Sequence, residues 1–405
     1  MAERAIGVAP SSLYAAGHLL ELIRTGRART RRDLLDSTGL SRSTVAARLD
    51  QLVAAGYIRE SAVATGARGR PSTMLAFDDS HGAVLAADFG ATHARAALCN
   101  LAGQTLGEVA QNLRISSGPE IVLGWLEEQW RTLLAESGLD NSHVVGLGVG
   151  VPGPVDVATG RLIRPPIMPG WHEYPVRERL QQSFQVPGFV ENDADVMALG
   201  EFYAVLPTCP SLLFVKVATG IGAGMVVNGR LLRGFNGGAG DLGHVRVTDA
   251  GVGPVCACGA RGCLAASVSG GAIARRLREQ GVPVETSREA VGLAQAGDPH
   301  AIALIREAGL LIGEVLATAV SLLNPQALII GGDLVQSPEH FMVGLRERLY
   351  QRTQPLATRE LQIMTSSLGD RAGVVGAARL VVEEVFAPEA VDRRFAGYIW
   401  SSSAG

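Results

Sequence analysis

The sequence predicts an α/β protein in two parts: a small winged helix-turn-helix head and a large body of mixed strands and helices. Three observations predict it. Helical periodicity punctuated by cap residues fills residues 12–55 and gives way to two short strands around an arginine–glycine loop. From residue 83 onward, apolar strand-like runs alternate with helical segments, as in α/β domains. Charge divides at the same place: residues 1–75 hold eleven Arg against six acids, a net +5, which leaves −8 on the rest of a chain whose total is −3. At 405 residues two or three compact units are expected, and 47% apolar residues suffice for large buried cores. The head is placed at 1–80, the body at 81–388 and a tail at 389–405.

Within the head, residues 12–25 read as a first helix with Leu19, Leu22 and Ile23 on one face. Thr30 precedes a second helix carrying Leu34 and Leu35, and Gly39 suits the left-handed turn that ends it. Ser41 caps a third helix, whose Val45, Leu49, Leu52 and Val53 form a stripe to pack on the first two. Its opposite face centres on Ser43, Ala47 and Gln51, flanked by Thr44 and Arg48; small and polar residues there can enter a major groove without a clash. Arg42, at the helix start, reaches toward the phosphate backbone. Residues 57–60 and 74–77 read as paired strands, and the loop between them carries Arg68 and Arg70, placed to touch phosphates or enter a minor groove. Arg42, Ser43, Thr44, Arg48, Arg68 and Arg70 are therefore the candidate DNA contacts, with a double-stranded operator as partner. The alternative is a three-helix packing unit with an exposed basic loop and no nucleic-acid role.

The body opens with a buried strand at 83–90, antiparallel strands at 95–100 and 105–109, a helix at 119–136 and a strand at 144–149. Residues 286–323 and 338–353 are helical, 361–364 a strand, and a last helix starts at 370; the chain after Phe386 is expected to be irregular. His244, Cys256, Cys258 and Cys263 form the sharpest constellation, since three thiols within eight residues and a preceding His can wrap one ion as a closed Cys3His structural zinc site. Cys99 and Cys209 read as core residues. No charged segment followed by a long apolar run opens the chain, and its apolar stretches are short and glycine-interrupted, so a cytoplasmic protein with no membrane partner is expected.

Several body segments, taken in order, resemble the ROK family (repressor, open reading frame, kinase) of the actin-like sugar kinases: Asp88-Phe89-Gly90-Ala91-Thr92, Val151-Pro152-Gly153-Pro154, Glu191-Asn192-Asp193-Ala194, Ala218-Thr219-Gly220-Ile221-Gly222-Ala223-Gly224, Gly238-Ala239-Gly240-Asp241-Leu242-Gly243-His244 and Asn324-Pro325 through Gly331-Gly332. The resemblance implies a two-lobed actin-like (ribonuclease H-like) sugar-kinase fold. It assigns Asp88, Gly90, Thr92, Thr219, Gly220, Gly222, Gly331 and Gly332 to nucleotide binding. Asn192, Asp193, Asp241 and His244 fall to sugar, with Asp193 as candidate base and His244 shared with zinc. On residue pattern alone, Asp193 reads as a helix N-cap.

The pattern also departs from the family. Ala265 stands where a sugar-binding carboxylate is usual, and Ala91, Ala218 and Ala223 replace phosphate-loop glycines. One lost buried polar contact costs about 1–3 kcal/mol. The expectation is a sensor that keeps the kinase shape, with ATP and magnesium not expected as cofactors. It would act as a repressor of carbohydrate-metabolism genes in which a sugar or sugar phosphate closes the lobes and alters operator binding by a homodimer or homotetramer. An active ATP-dependent sugar kinase with an accessory DNA-binding head, and a constitutive DNA-binding protein whose body only drives dimerisation, remain as alternatives.

Overall fold

The structure is a computed structural model and describes residues 15–63, 72–249 and 251–402. In the head, helices Ala16–Arg24, Arg31–Thr38 and Arg42–Ala54 form around Leu19, Leu20, Leu34, Leu49 and Leu52, all fully buried. The second helix starts at a reciprocal cap: the Asp33 N–H donates to the Thr30 hydroxyl and the Thr30 N–H to the Asp33 carboxylate. It ends at Gly39, in the left-handed conformation at φ 68°. Val45, Leu49 and Leu52 face inward as expected, but Val53 is 43% exposed. Eight residues after Val45 a helix has turned about 80° too far to share its stripe.

Strands Ile58–Val63 and Ser72–Phe77 pair antiparallel in register from Ile58↔Phe77 to Val63↔Ser72. The loop tip that carries Arg68 and Arg70 lies outside the described residues.

The body has two lobes built on one plan. In the first, the strand order is Thr105–Gln111, Ala94–Asn100, Ala83–Phe89, Val144–Val151, Gly188–Asn192; in the second it is Arg230–Leu231, Ile221–Val227, Ser211–Val217, Ala327–Gly331, Gln362–Thr365. Each sheet has three antiparallel strands followed by two that run parallel to the third. The central strand Ala83–Phe89 is buried at every position, as a strand covered on both faces must be.

Helices Asp193–Val205 and Ala372–Val385 lie between the sheets and touch backbone to backbone. A Cβ on Gly376 would stand 1.6 Å from the Val196 carbonyl oxygen, and one on Gly200 would stand 2.2 Å from that of Ala372. Only glycine permits this approach.

Two expectations for the C-terminal part are corrected. The helical run at 286–323 is two helices, Ser287–Gln295 and Pro299–Leu323, because Asp298 caps a new helix with Pro299 in its first turn. The chain after Phe386 is not irregular: Pro388–Ser402 is a helix that packs on the first helix of the head. The Gly17 N–H donates to the Asp392 carboxylate at 2.9 Å, and Tyr57 and Phe77 meet the Phe386 ring edge-on at 5.2 Å each. Leu19, Leu20 and Leu22 of the head thus share one hydrophobic cluster with Val382, Phe386 and Val391 of the body.

Candidate functional site

The helix offered to DNA begins at Ser41, whose hydroxyl accepts the Thr44 N–H and lies 2.9 and 2.8 Å from the Ser43 and Thr44 hydroxyls. Arg42 and Ser43 are exposed and Thr44 is half-buried, so the N-terminal turn presents a cation, hydroxyls and unpaired N–H groups together. Arg48 differs. It is half-buried, donates to the Gln51 side chain at 3.0 Å and lies near Asp392 of the C-terminal helix, away from the free face. Other arginines of the head are tied to acids, Arg31 to Glu60 and Arg59 to Asp78 and Asp79.

A cleft of about 440 Å³ opens between the lobes, at the ends of the parallel strands. Asn192, Asp193, Asp241 and His244 all line it, so the four residues expected to meet sugar are brought together. Asn192, and not Asp193, caps the helix: the Ala194 N–H donates to Asn192 Oδ1 at 2.9 Å and to Asp193 Oδ1 at 2.8 Å. Asn192 Nδ2 also donates to the Gly153 carbonyl, which fixes the amide. Asp241 and His244 bracket a short 3-10 turn. The turn is pressed onto the neighbouring strand through Gly240, at φ 91°, where a Cβ would stand 2.0 Å from the Ala223 carbonyl oxygen.

Asp195 also lines the cleft and escaped the sequence reading. It is 2% exposed, and its Oδ1 has no hydrogen-bond partner among the described residues. Burial, with Glu191 nearby, pushes its carboxyl well above the usual range.

His244, Cys256, Cys258 and Cys263 converge, their ligand atoms all within 4.8 Å of one another. Cys258 Sγ lies 3.8 Å from Cys263 Sγ, and Cys256 Sγ lies 3.5 Å from His244 Nδ1. Tetrahedral coordination with zinc–sulfur and zinc–nitrogen bonds of ordinary length requires about 3.8 and about 3.6 Å for these two separations. The donor set and its spacing therefore fit a four-ligand metal site. His244 and Cys258 also line the cleft, so the same ion would anchor its wall.

A second cavity of about 500 Å³ lies behind the first. Of the nucleotide candidates, Asp88 and Gly332 line it; Thr219, Gly220 and Gly222 line the front cleft; Gly90, Thr92 and Gly331 line neither. The Gly90 N–H donates to the His93 carbonyl at 2.9 Å and the Ala218 N–H to that of Gly220 at 2.9 Å, so two amides of the phosphate loops are already engaged. The His93 ring lies against Gly90 and borders both cavities.

A further set of ion pairs was missed because the partners are distant in sequence. Arg233 pairs with Glu191 at 2.5 Å, beside Asn192, and with Glu384 at 3.4 Å on the last body helix. The neighbouring Glu383 receives both guanidinium nitrogens of Arg24 from the head, the NH2 contact at 2.7 Å. Two ion-pair groups, joined only through the adjacent residues Glu383 and Glu384, thus lie between the cleft strand and the first helix of the DNA-binding head.

Asp88 is 4% exposed, and its Oδ1 is without a partner among the described residues. Burial pushes its carboxyl up to about 7, against the pull of Lys216 and with a smaller push from Asp193. Between about pH 4 and 7 the folded state thus keeps a proton that the unfolded chain gives up, so stability falls as pH rises through this window. Asp88→Asn is expected to flatten that fall, measured as denaturant midpoints from pH 4 to 8; parallel wild-type and variant curves would contradict it.

Comparison with known proteins agrees with this architecture. The ROK family model matches residues 84–384, and a winged helix-turn-helix DNA-binding model matches residues 19–59. The chain is 26% identical over 355 residues to the xylose repressor of Bacillus subtilis (strain 168), covering 87% of this chain and 91% of that protein. It is 30% identical over 317 residues to the glucokinase of Thermotoga maritima, covering 75% of this chain and 98% of that enzyme. The crystal structure of a ROK family transcriptional regulator, a homolog of the E. coli MLC protein, superposes with a TM-score of 0.80 at 23% identity, over 94% of this chain and 98% of that one. With a family match over most of its length and a winged head fused to it, the chain belongs to the ROK family.

Proposed function

We propose that the chain is a sugar-responsive DNA-binding transcriptional regulator, a repressor of carbohydrate-metabolism genes. The observation that carries this reading is the single hydrophobic core shared by the head and the sugar-cleft body. A head on a flexible tether would bind DNA without regard to the cleft, whereas a head seated on the last two body helices must follow them. The xylose repressor supports the reading because its similarity spans 87% of this chain, whereas that to the glucokinase spans 75%.

A sugar in the cleft would be held by Asn192, Asp193 and Asp241, with His244 and Asp195 as further partners. Its closure of the lobes would move Glu191 and Arg233, and through Glu384 and Glu383 the seat of Arg24. Zinc is the ion we assign to His244, Cys256, Cys258 and Cys263. It would act as a clamp on the loop that carries Asp241, with no open position for chemistry. Arg42, Ser43 and Thr44 would face the operator, joined by Arg68 and Arg70 from the wing. Paired half-sites call for a homodimer or homotetramer.

Three measurements test this. The purified chain is expected to hold one zinc per chain by atomic emission, and Cys256→Ser to release it to a mild chelator; a metal-free chain with an unchanged melting curve would remove the clamp. Genomic footprinting followed by anisotropy titration is expected to yield a duplex whose affinity changes with a sugar such as D-xylose or D-glucose. Arg42→Ala should weaken all duplexes alike and lower the salt slope by about 1. Retention of no duplex at low salt ends the regulator reading, and indifference to every sugar ends the sensor reading. Arg24→Ala, which removes the ion pair to Glu383, is expected to keep DNA binding and lose most of the sugar response; a response equal to wild type would refute this route.

A further inference from the structure

Of the 36 basic residues in this chain, 35 are arginine and one is lysine, Lys216. It lies in the strand Ser211–Val217, in an otherwise apolar run, with its side chain 11% exposed. Its ammonium lies 2.5 Å from Asp193 Oδ2, and Asp193 is itself 9% exposed. Lys216 and Asp193 border the front cleft, and Lys216 and Asp88 border the rear cavity, so the ammonium stands where the two spaces meet. Asp88 Oδ1 and the backbone of Asp193 both lie within 4 Å of the place where a Gly150 side chain would begin, which puts the two acids side by side. Burial works to discharge Lys216, but Asp193 and Asp88 outweigh it and hold the ammonium charged.

Phosphoryl transfer in a cleft of this shape needs an ionised base on the sugar hydroxyl and a divalent cation between acid and phosphate. The residues present do not fit that arrangement. The carboxylate that would accept the proton is paired to an ammonium, and the ammonium puts a fixed positive charge where the divalent cation would approach.

We propose that Lys216 is a built-in cation: paired with Asp193 and standing near Asp88 where the two cavities meet, it takes the place of a divalent ion, keeps Asp193 oriented as a hydrogen-bond acceptor for sugar, and excludes metal-dependent phosphoryl transfer. Lys216 is thus a positioning residue. This deepens the sensor reading and rests on it, but its test needs neither an operator nor a known effector.

The test is a Mn2+ titration of the full zinc-loaded chain, followed by electron paramagnetic resonance, for wild type, Lys216→Met, Lys216→Arg and the double variant Lys216→Met/Asp88→Asn. Wild type is expected to bind no Mn2+ in the cleft at submillimolar concentration. Lys216→Met removes the charge at similar length and should open a site at least about tenfold tighter. The double variant should lose that site, and Lys216→Arg should exclude Mn2+ as wild type does. A Lys216→Met chain that gains no Mn2+ site overturns the proposal. So does a wild-type site that Asp88→Asn abolishes, a result that stands whether or not the Lys216 variants fold. ADP release from MgATP with D-xylose or D-glucose in wild type, lost in Lys216→Met, would recast Lys216 as an aid to transfer and overturn it equally. DNA binding that ignores every sugar would instead sink the sensor reading and leave the Mn2+ result intact.

Discussion

The constraint on which the rest of the molecule depends is the contact between helices Asp193–Val205 and Ala372–Val385. Their backbones meet at Gly200 and Gly376, where no side chain fits. The first helix presents Asp193 and Asp195 to the sugar cleft from its opening turn. The second begins against Asp88 and ends with Glu383 and Glu384, which hold the head and the cleft loop. Because packed interfaces have few alternative arrangements, a shift of one helix must be taken up by the other. The cleft at one end and the head at the other are therefore tied to a single close-packed joint.

Much of this architecture was legible in the residues. Cap residues and periodicity located the head's helices, and the Cys-Ala-Cys-Gly-Ala-Arg-Gly-Cys run located the Cys/His cluster, because local chemistry decides both. What escaped was non-local. Glu191 and Arg233 are 42 residues apart, and Arg24 and Glu383 are 359 apart, so no spacing rule joins them. The C-terminal helix was missed for a different reason. Its apolar signal, Val391 with Phe395 one turn later, is short, and its packing surface belongs to the head. Lys216 did carry a local signal, as the chain's only lysine within a strand of Leu, Phe and Val, but its meaning depended on Asp88 from another strand and Asp193 from the start of a helix.

The site keeps a kinase-like frame while departing from the family pattern at single positions. None of the alanines at 91, 218, 223 and 265 removes the frame. Around them, loop amides bond to their own chain, and the base is held by an ammonium. Each change leaves the pocket's shape intact, and the two demands on such a pocket differ: recognition draws on shape and hydroxyl partners, phosphoryl transfer on charge placed at one point.

The seating of the first helix on the last has a temporal side. Gly17 and Asp392 are bonded across 375 residues of chain. At ordinary translation speeds the ribosome needs roughly 20–75 s to cover that stretch. Through that interval the surface that seats the head is incomplete, and the head emerges able to form its own helices but not to fix its orientation. A polypeptide broken off before the final helix would be a head without a bearing.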